Sequence, residues 1–281
     1  MLFRSYIPPA PLGAFVDDIW LYEGYAGEHA RERILPSGTF EMVFNLHEDE
    51  LRIYGPPDLD RCRRFSGALI SGPYTSPFMS DTREEEEILG VHFKPGGAAA
   101  VLGLPARELA DTHVDLTMIW GPVATELRER LCALREPAAR FLLLESALLE
   151  RLADPPAAHR AVRAGLDVLR RTHGAVRIRD IAMALDLSQR RFSEVFAAEV
   201  GLTPKLFARV WRFQRAVALS QSALQVDWAQ LALDCGYFDQ AHLSNEFAAL
   251  SGVSPADYRR RLSRLERAGA HVKRHHLPLI A

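Results

Sequence analysis

The C-terminal part of the chain carries one pattern twice. Phe192, Phe196, Gly201, Pro204 and Phe207 recur 51 positions later as Leu243, Phe247, Gly252, Pro255 and Tyr258. Upstream, Ile178, Ile181, Ala182 and Leu185 recur 50 positions later as Trp228, Leu231, Ala232 and Cys235. Positions held in register across a constant offset, with one residue added near Gly236-Tyr237-Phe238, mean that a single supersecondary unit is built twice. Whatever the chain folds into must hold both copies.

Within the first copy, Ile178, Ile181, Ala182 and Leu185 fall at i, i+3, i+4 and i+7, the apolar stripe of a helix. A second stripe, Phe192, Val195, Phe196 and Val200, begins after Leu187-Ser188, and Ser188 suits the N-cap of that helix. Two short helices joined by a tight turn, the second opening with polar and basic residues, outline a helix-turn-helix. Between the copies Thr203-Pro204 starts a further helix, KLFARVWRFQRAVALSQ, of 17 residues. At about 1.5 Å per residue it spans roughly 25 Å. With the width of a helix added, that approaches the ~34 Å between successive major grooves on one face of a duplex.

The total charge of −2 argues against a nucleic-acid binder until it is divided. Residues 160–281 hold 19 Lys and Arg against 11 Asp and Glu, a net +8, which leaves 15 against 25, or −10, for residues 1–159. Such asymmetry points to one half that meets a polyanion and one that does not. Hydrophobic residues at 48% and charged residues at 25% fit a soluble globular protein with room for two domains. No stretch reads as a signal peptide or as a membrane span, so a cytoplasmic location without a membrane partner is predicted. Cys62, Cys132 and Cys235 are scattered without a CxxC pair, which suggests neither a disulfide framework nor a zinc site.

The first half reads differently. DIWLYEGY, TFEMVFNLH, LRIYG, ALISG and ILGVHFKPG are candidate strands separated by Gly- and Pro-rich breaks, so a small barrel or sandwich is predicted to about residue 104. Leu127, Leu131 and Leu134, then Phe141, Leu142, Leu144, Ala147, Leu148 and Leu152, mark helices in 105–153. These leucines offer a dimer surface or pack against the barrel. Asp154-Pro155-Pro156 ends the last of these helices, giving a sensor or dimerisation domain at 1–153, a linker at 154–158, a helical domain at 159–265 and a flexible tail at 266–281.

GYFDQAHLSNEFAALSGVSPADYRR, Gly236 to Arg260, and RFQRAVALS, Arg212 to Ser220, resemble the DNA-binding domain and linker helix of the AraC/XylS family. The resemblance implies a multidomain α+β chain whose C-terminal all-α domain has seven helices and two helix-turn-helix motifs. It further implies double-stranded promoter DNA as partner, usually as tandem half-sites, and transcription regulation at RNA polymerase without catalysis or a cofactor. LPSGTFEMVFNL, GVHFKPGGAAAVLGLP and ELADTHVDLTMIWG, at Leu35, Gly90 and Glu108, resemble a sensor domain found ahead of such units. That implies a cupin-like β-barrel followed by helices, and names no ligand.

With Phe192, Val195 and Phe196 turned inward, Gln189, Arg190, Ser193 and Glu194 face outward, as does Ala197. In the second copy inward Leu243, Phe247 and Leu250 leave Gln240, Ala241, Ser244 and Asn245 outside. Arg190 suits guanine, and Gln240 and Asn245 suit adenine. Glu194 reads either as an acceptor from cytosine or as a solvated acid. Arg179, Arg191, Lys205, Arg209, Arg212, Arg259 and Arg260 are candidate phosphate contacts, and His242 is either one of these or a packing residue. Ala197-Ala198-Glu199 and Ala248-Ala249-Leu250 stand where the family often has basic residues, so intrinsic affinity is predicted to be modest and a homodimer is implied.

In the first half, alternation puts Phe40, Met42, Phe44 and Leu46 on one face and Glu41, Val43, Asn45 and His47 on the other. Glu41 and Asn45, with Trp20, Tyr22 and His92, either line an effector pocket or face water. His47, His92 and His113 lack the spacing of a metal site, so no metal is predicted. Two rivals stand beside control by a small-molecule effector. One is a constitutively dimeric regulator, the other a DNA-repair alkyl acceptor using Cys62 between Arg61 and Arg63-Arg64, without a companion cysteine.

Overall fold

The computed structural model describes residues 2–24, 31–55, 58, 60–81, 86–152, 159–222, 225–267 and 276–278. The predicted linker at 154–158 lies outside them. Strands β1 (Leu2–Tyr6), β2 (Val16–Glu23), β3 (Arg31–Ile34), β4 (Glu41–Asn45), β5 (Leu51–Tyr54), β6 (Cys62–Phe65), β7 (Ala68–Ser71), β8 (Phe78–Asp81) and β9 (Glu87–Phe93) come first. Helix α1 (Ala98–Leu102), strand β10 (His113–Asp115), and helices α2 (Thr117–Trp120), α3 (Pro122–Ala133) and α4 (Pro137–Arg151) complete the N-terminal domain. β10 lies in the stretch expected to be purely helical. It returns to pair with β7, placing His113 opposite Ser71.

The strands form two antiparallel sheets, β1-β2-β9-β4-β7-β10 and β3-β8-β5-β6, without closing into the expected barrel. Closure would need hydrogen-bonded continuity around the ring. β6 instead ends its sheet with exposed Cys62, Arg63 and Arg64, and charge on an edge strand discourages further pairing. The predicted alternation in β4 explains the layering. Met42 and Phe44 join Leu131, Leu144 and Leu148 under the helices, whereas Val43 sits with Trp20, Tyr22, Ile53 and Phe78 between the sheets. The larger sheet is thus covered on both faces. Leu127, Leu131, Leu144 and Leu148 are consumed by this core and do not form a dimer surface, although Leu142 is exposed.

Seven helices follow: α5 (Arg160–Arg171), α6 (Ile178–Ala184), α7 (Gln189–Val200), α8 (Pro204–Ser222), α9 (Trp228–Asp234), α10 (Gln240–Ser251) and α11 (Pro255–Arg267). The repeated apolar positions build one core, in which Phe192, Phe196, Phe207, Phe213, Phe247 and Tyr258 are fully buried. Of the predicted tail, 268–275 and 279–281 lie outside the described residues. His276–Pro278 is not loose but forms strand β11 against β3, because β3 would otherwise be an open sheet edge.

The two domains dock. Leu35 of the N-terminal domain is buried in the C-terminal core, Gln214 donates to the Pro36 carbonyl at 2.5 Å, and Arg33 donates to the Ser251 carbonyl at 3.0 Å. The 3-10 turn Ala106–Leu109 packs against α7. Among the described residues no helix is long and apolar enough to cross a membrane, and no three His, Cys, Asp or Glu side chains converge as a metal site.

Candidate nucleic-acid interface and sensor cavity

Helices α6 and α7 form the first helix-turn-helix, and α9 and α10 the second. Ser188 caps α7 by accepting from the Arg191 amide at 3.1 Å, and Asp239 caps α10 by accepting from the His242 amide at 2.7 Å. Both helices end on a left-handed residue, Gly201 (φ 90°) and Gly252 (φ 73°), which is why the repeat keeps glycine there. The turns match as well: Asp186 (φ 55°) and Gly236 (φ 79°) hold the same left-handed position. The residue added in the second copy is Phe238, which is 84% exposed beside the N-terminus of α10. Sequence reasoning located the insertion but not this consequence, for which the one-residue slip in the repeat was the signal.

On α7, Gln189 and Arg190 project into solvent and Ser193 is half-buried. Arg190 Nε donates to Glu194 at 2.9 Å and Arg191 lies 3.8 Å from the same carboxylate. The hydrogen bond from Arg190 is the main reason that the exposed Glu194 carboxyl sits below its ordinary pKa, with the charges of Arg191 and Arg107 adding to it. Glu194 is therefore a partner of cations on its own helix. On α10, Gln240, Ala241 and Asn245 are exposed and Ser244 is half-buried.

Several of the candidate phosphate residues have partners within the fold. Arg209 is tied to Glu246 at 2.6 Å, joining α8 to α10, and is half-buried. Arg212 donates to the Gly174 carbonyl at 2.8 Å and lies 5.7 Å from the Tyr237 ring centre. Each of these contacts ties α8 to another part of the C-terminal domain. His242 accepts from the Phe238 amide through Nδ1 at 3.3 Å and meets the Tyr237 ring edge-on, which is its packing alternative. Arg260 is engaged by Asp257 at 2.8 Å, Arg179 sits 3.6 Å from Asp180, and Arg259 is half-buried. Lys205 is exposed in the first turn of α8.

In the N-terminal domain a cavity of about 60 Å³ lies between the sheets. Trp20, Tyr22 and Glu41 line it, joined by Ser71, Ser80 and His113. Asn45 is not part of it. Its amide donates to the Glu50 carbonyl at 3.0 Å and accepts from the His47 and Glu48 amides at 3.0 and 2.9 Å, clamping the turn after β4. Nor does His92 line this cavity: it is held between Asp18 at 2.7 Å and Glu41 at 3.1 Å. Cys62, the rival's nucleophile, lies on the sheet edge, with Arg64 paired to Glu50 at 3.3 Å and Arg63 over the Phe65 ring at 5.0 Å.

Two histidines give opposite pH dependences. Burial lowers the His92 pKa, but its hydrogen bonds to Asp18 and Glu41 outweigh that and raise it to about 9. Between pH 6.5 and 9 the folded chain holds a proton that the unfolded chain has lost, so His92 stabilises fully below pH 6.5 and that stability is lost as pH rises through 9. Burial, helped by the charge of Arg63, lowers the His113 pKa to about 3. Between pH 6.5 and 3 the unfolded chain holds the extra proton, so stability falls as pH falls. Each limb is worth up to about 3–5 kcal/mol at ~1.4 kcal/mol per pKa unit. Melting temperature plotted against pH is expected to peak near neutrality, and His92→Gln should flatten the alkaline limb alone.

Two helix-turn-helix units joined by one long helix, with polar outer faces and a partly basic surface, define a DNA-binding transcription regulator. Residues 181–261 match a family described as a helix-turn-helix domain, and this DNA-binding unit is of the AraC type. Residues 4–115 match a domain of unknown function (DUF6597). No curated protein matches the chain. Among solved structures, ToxT from Vibrio cholerae is similar at 12% identity and TM-score 0.47, covering 87% of this chain and 97% of that one. The C-terminal domain of AraT, a response regulator from Geobacillus stearothermophilus, is similar at 23% identity and TM-score 0.35 over 37% of this chain and 88% of that one. An AraC-type regulator from Chromobacterium violaceum gives 20% identity and TM-score 0.34 over 37% and 93%.

Proposed function

We propose that the chain reads promoter DNA by sequence, with α7 and α10 in successive major grooves, and that a small-molecule effector held in its N-terminal domain controls this binding. The observation that carries the reading is the pair of equivalently capped helices on either side of α8, whose 19 residues span roughly 28 Å at ~1.5 Å each. Gln189, Arg190, Ser193 and Glu194 then face one groove, and Gln240, Ala241, Ser244 and Asn245 the next. Phe238 adds an apolar contact of the kind that suits a thymine methyl. With few unpaired cations on either helix, two chains bind together as a homodimer and act on RNA polymerase.

Salt dependence separates the positioning contacts from the structural arginines. Lys205→Ala is expected to weaken binding to all sequences alike and to reduce the slope of log K against log salt by about 0.9, one phosphate's share. Arg209→Ala should leave that slope near its wild-type value and lower the melting temperature instead, since it strands Glu246. Equal slopes for Lys205→Ala and wild type would remove Lys205 from the interface.

A second reading, promoter binding without an effector, is favoured by the small volume between the sheets. At about 10–15 Å³ per water-sized probe, that cavity takes a few waters and no larger molecule unless the sheets part. DNA affinity unchanged across a panel of metabolites would select it.

A further inference from the structure

A second cavity is larger than the one between the sheets. A cleft of about 750 Å³ lies between the domains, walled by β9 and its flanks on one side and by α5 and α8 on the other. That volume falls within the ~300–1,000 Å³ range of small-molecule sites. Three permanent cations line it, Lys94 from the N-terminal domain and Arg170 and Arg215 from the C-terminal one, against one lining carboxylate, Asp17. His92 also reaches the cleft, but Asp18 and Glu41 already balance its charge.

None of the three cations forms an ion pair with a carboxylate among the described residues. Lys94 donates to the Gly13 carbonyl. Arg215 Nε is buried with no hydrogen-bond partner among the described residues, and its guanidinium meets only a weak partner in the Cys235 thiol. An unpaired buried donor is costly, and like charges gathered in a concavity focus an anion-attracting field. Beside them, half-buried Trp211 and buried Phe93 supply a flat apolar wall. Cations around an apolar wall recognise an anionic group carried on an apolar body.

We infer that this cleft binds a small organic anion, its charged group on Lys94, Arg170 and Arg215 and its apolar part against Trp211. Because the lining comes from both domains, such a ligand holds the N-terminal domain against α8, the helix that joins the two DNA-reading units. The inference goes beyond the proposed function, since it requires neither DNA nor the cavity between the sheets.

The test uses the full chain and 1-anilinonaphthalene-8-sulfonate, an aromatic anion whose emission rises on burial. Saturable binding with energy transfer from Trp211 is expected, and Trp211→Phe should reduce the transfer. Benzoate should displace the probe and uncharged benzyl alcohol should not. The double variant Arg170→Ala/Arg215→Ala should weaken binding about tenfold or more, as loss of a charge-assisted contact implies. Arg130→Ala, an exposed cation on α3, should leave it unchanged. Probe affinity unaltered in the double variant, or displacement by benzyl alcohol as good as by benzoate, would overturn the inference. DNA binding, measured separately, would stand or fall independently.

Discussion

Gly72→Ala is expected to destabilise the N-terminal domain by about 3 kcal/mol, the upper part of the range for forcing extra volume into a packed site. A Cβ at residue 72 would lie 1.6 Å from the Leu109 carbonyl oxygen and 2.7 Å from its carbon. These are backbone atoms, so no side-chain rotation relieves the clash. The approach is this close because the segment before β10 crosses over the end of β7, where the Gly72 amide donates to the Thr112 carbonyl at 3.0 Å. The same crossing brings His113 to Tyr74, 2.5 Å from its hydroxyl, at the wall of the inter-sheet cavity. For a domain of this size the melting temperature should fall by roughly 6–12 °C. An unchanged melting curve would mean that the 106–112 segment does not lie across β7.

The second large effect is on recognition. Arg190→Ala and Asn245→Ala should each cost about 1–3 kcal/mol of discrimination at one base pair, the worth of a good bidentate contact. They sit on different helices and share no partner, so the double variant should lose about 2–6 kcal/mol. Arg190 must first leave Glu194. That pair is exposed to solvent and contributes little, less than a bidentate hydrogen bond to guanine, so the exchange favours DNA. Competition binding against single-base operator variants reads this directly. Retained discrimination in both variants would mean that the outward faces have been misassigned.

How much of this was legible in the sequence follows from which forces act locally. The C-terminal domain was readable because its signals are local: the stripe from Phe192 to Val200, the Ser188 cap, and glycines where the backbone turns left-handed. The strands with alternating apolar residues, such as β4, were readable for the same reason. β3 and β8 were missed because RERI and FMSD owe their conformation to partners far along the chain, and β6 because CRRF, on an exposed sheet edge, carries no apolar alternation. The fates of charged side chains were the least legible. Nothing local distinguishes Arg209 and Arg212, which bind Glu246 and the Gly174 carbonyl, from Lys205, which binds neither. Asn45 was read as a pocket residue because alternation gives its face but not the turn it clamps. The cleft between the domains was invisible, since its walls come from residues 17–95 and 170–221, which only docking brings together.

The central claim is that one chain reads two adjacent segments of one duplex face, and selection of bound sequences from a random DNA library tests it most directly. Wild type should recover two preferred blocks per chain, centred about 10–10.5 base pairs apart. Arg190→Ala should erase the preference in one block and Asn245→Ala in the other. A single block, or both variants acting on the same block, would contradict the account.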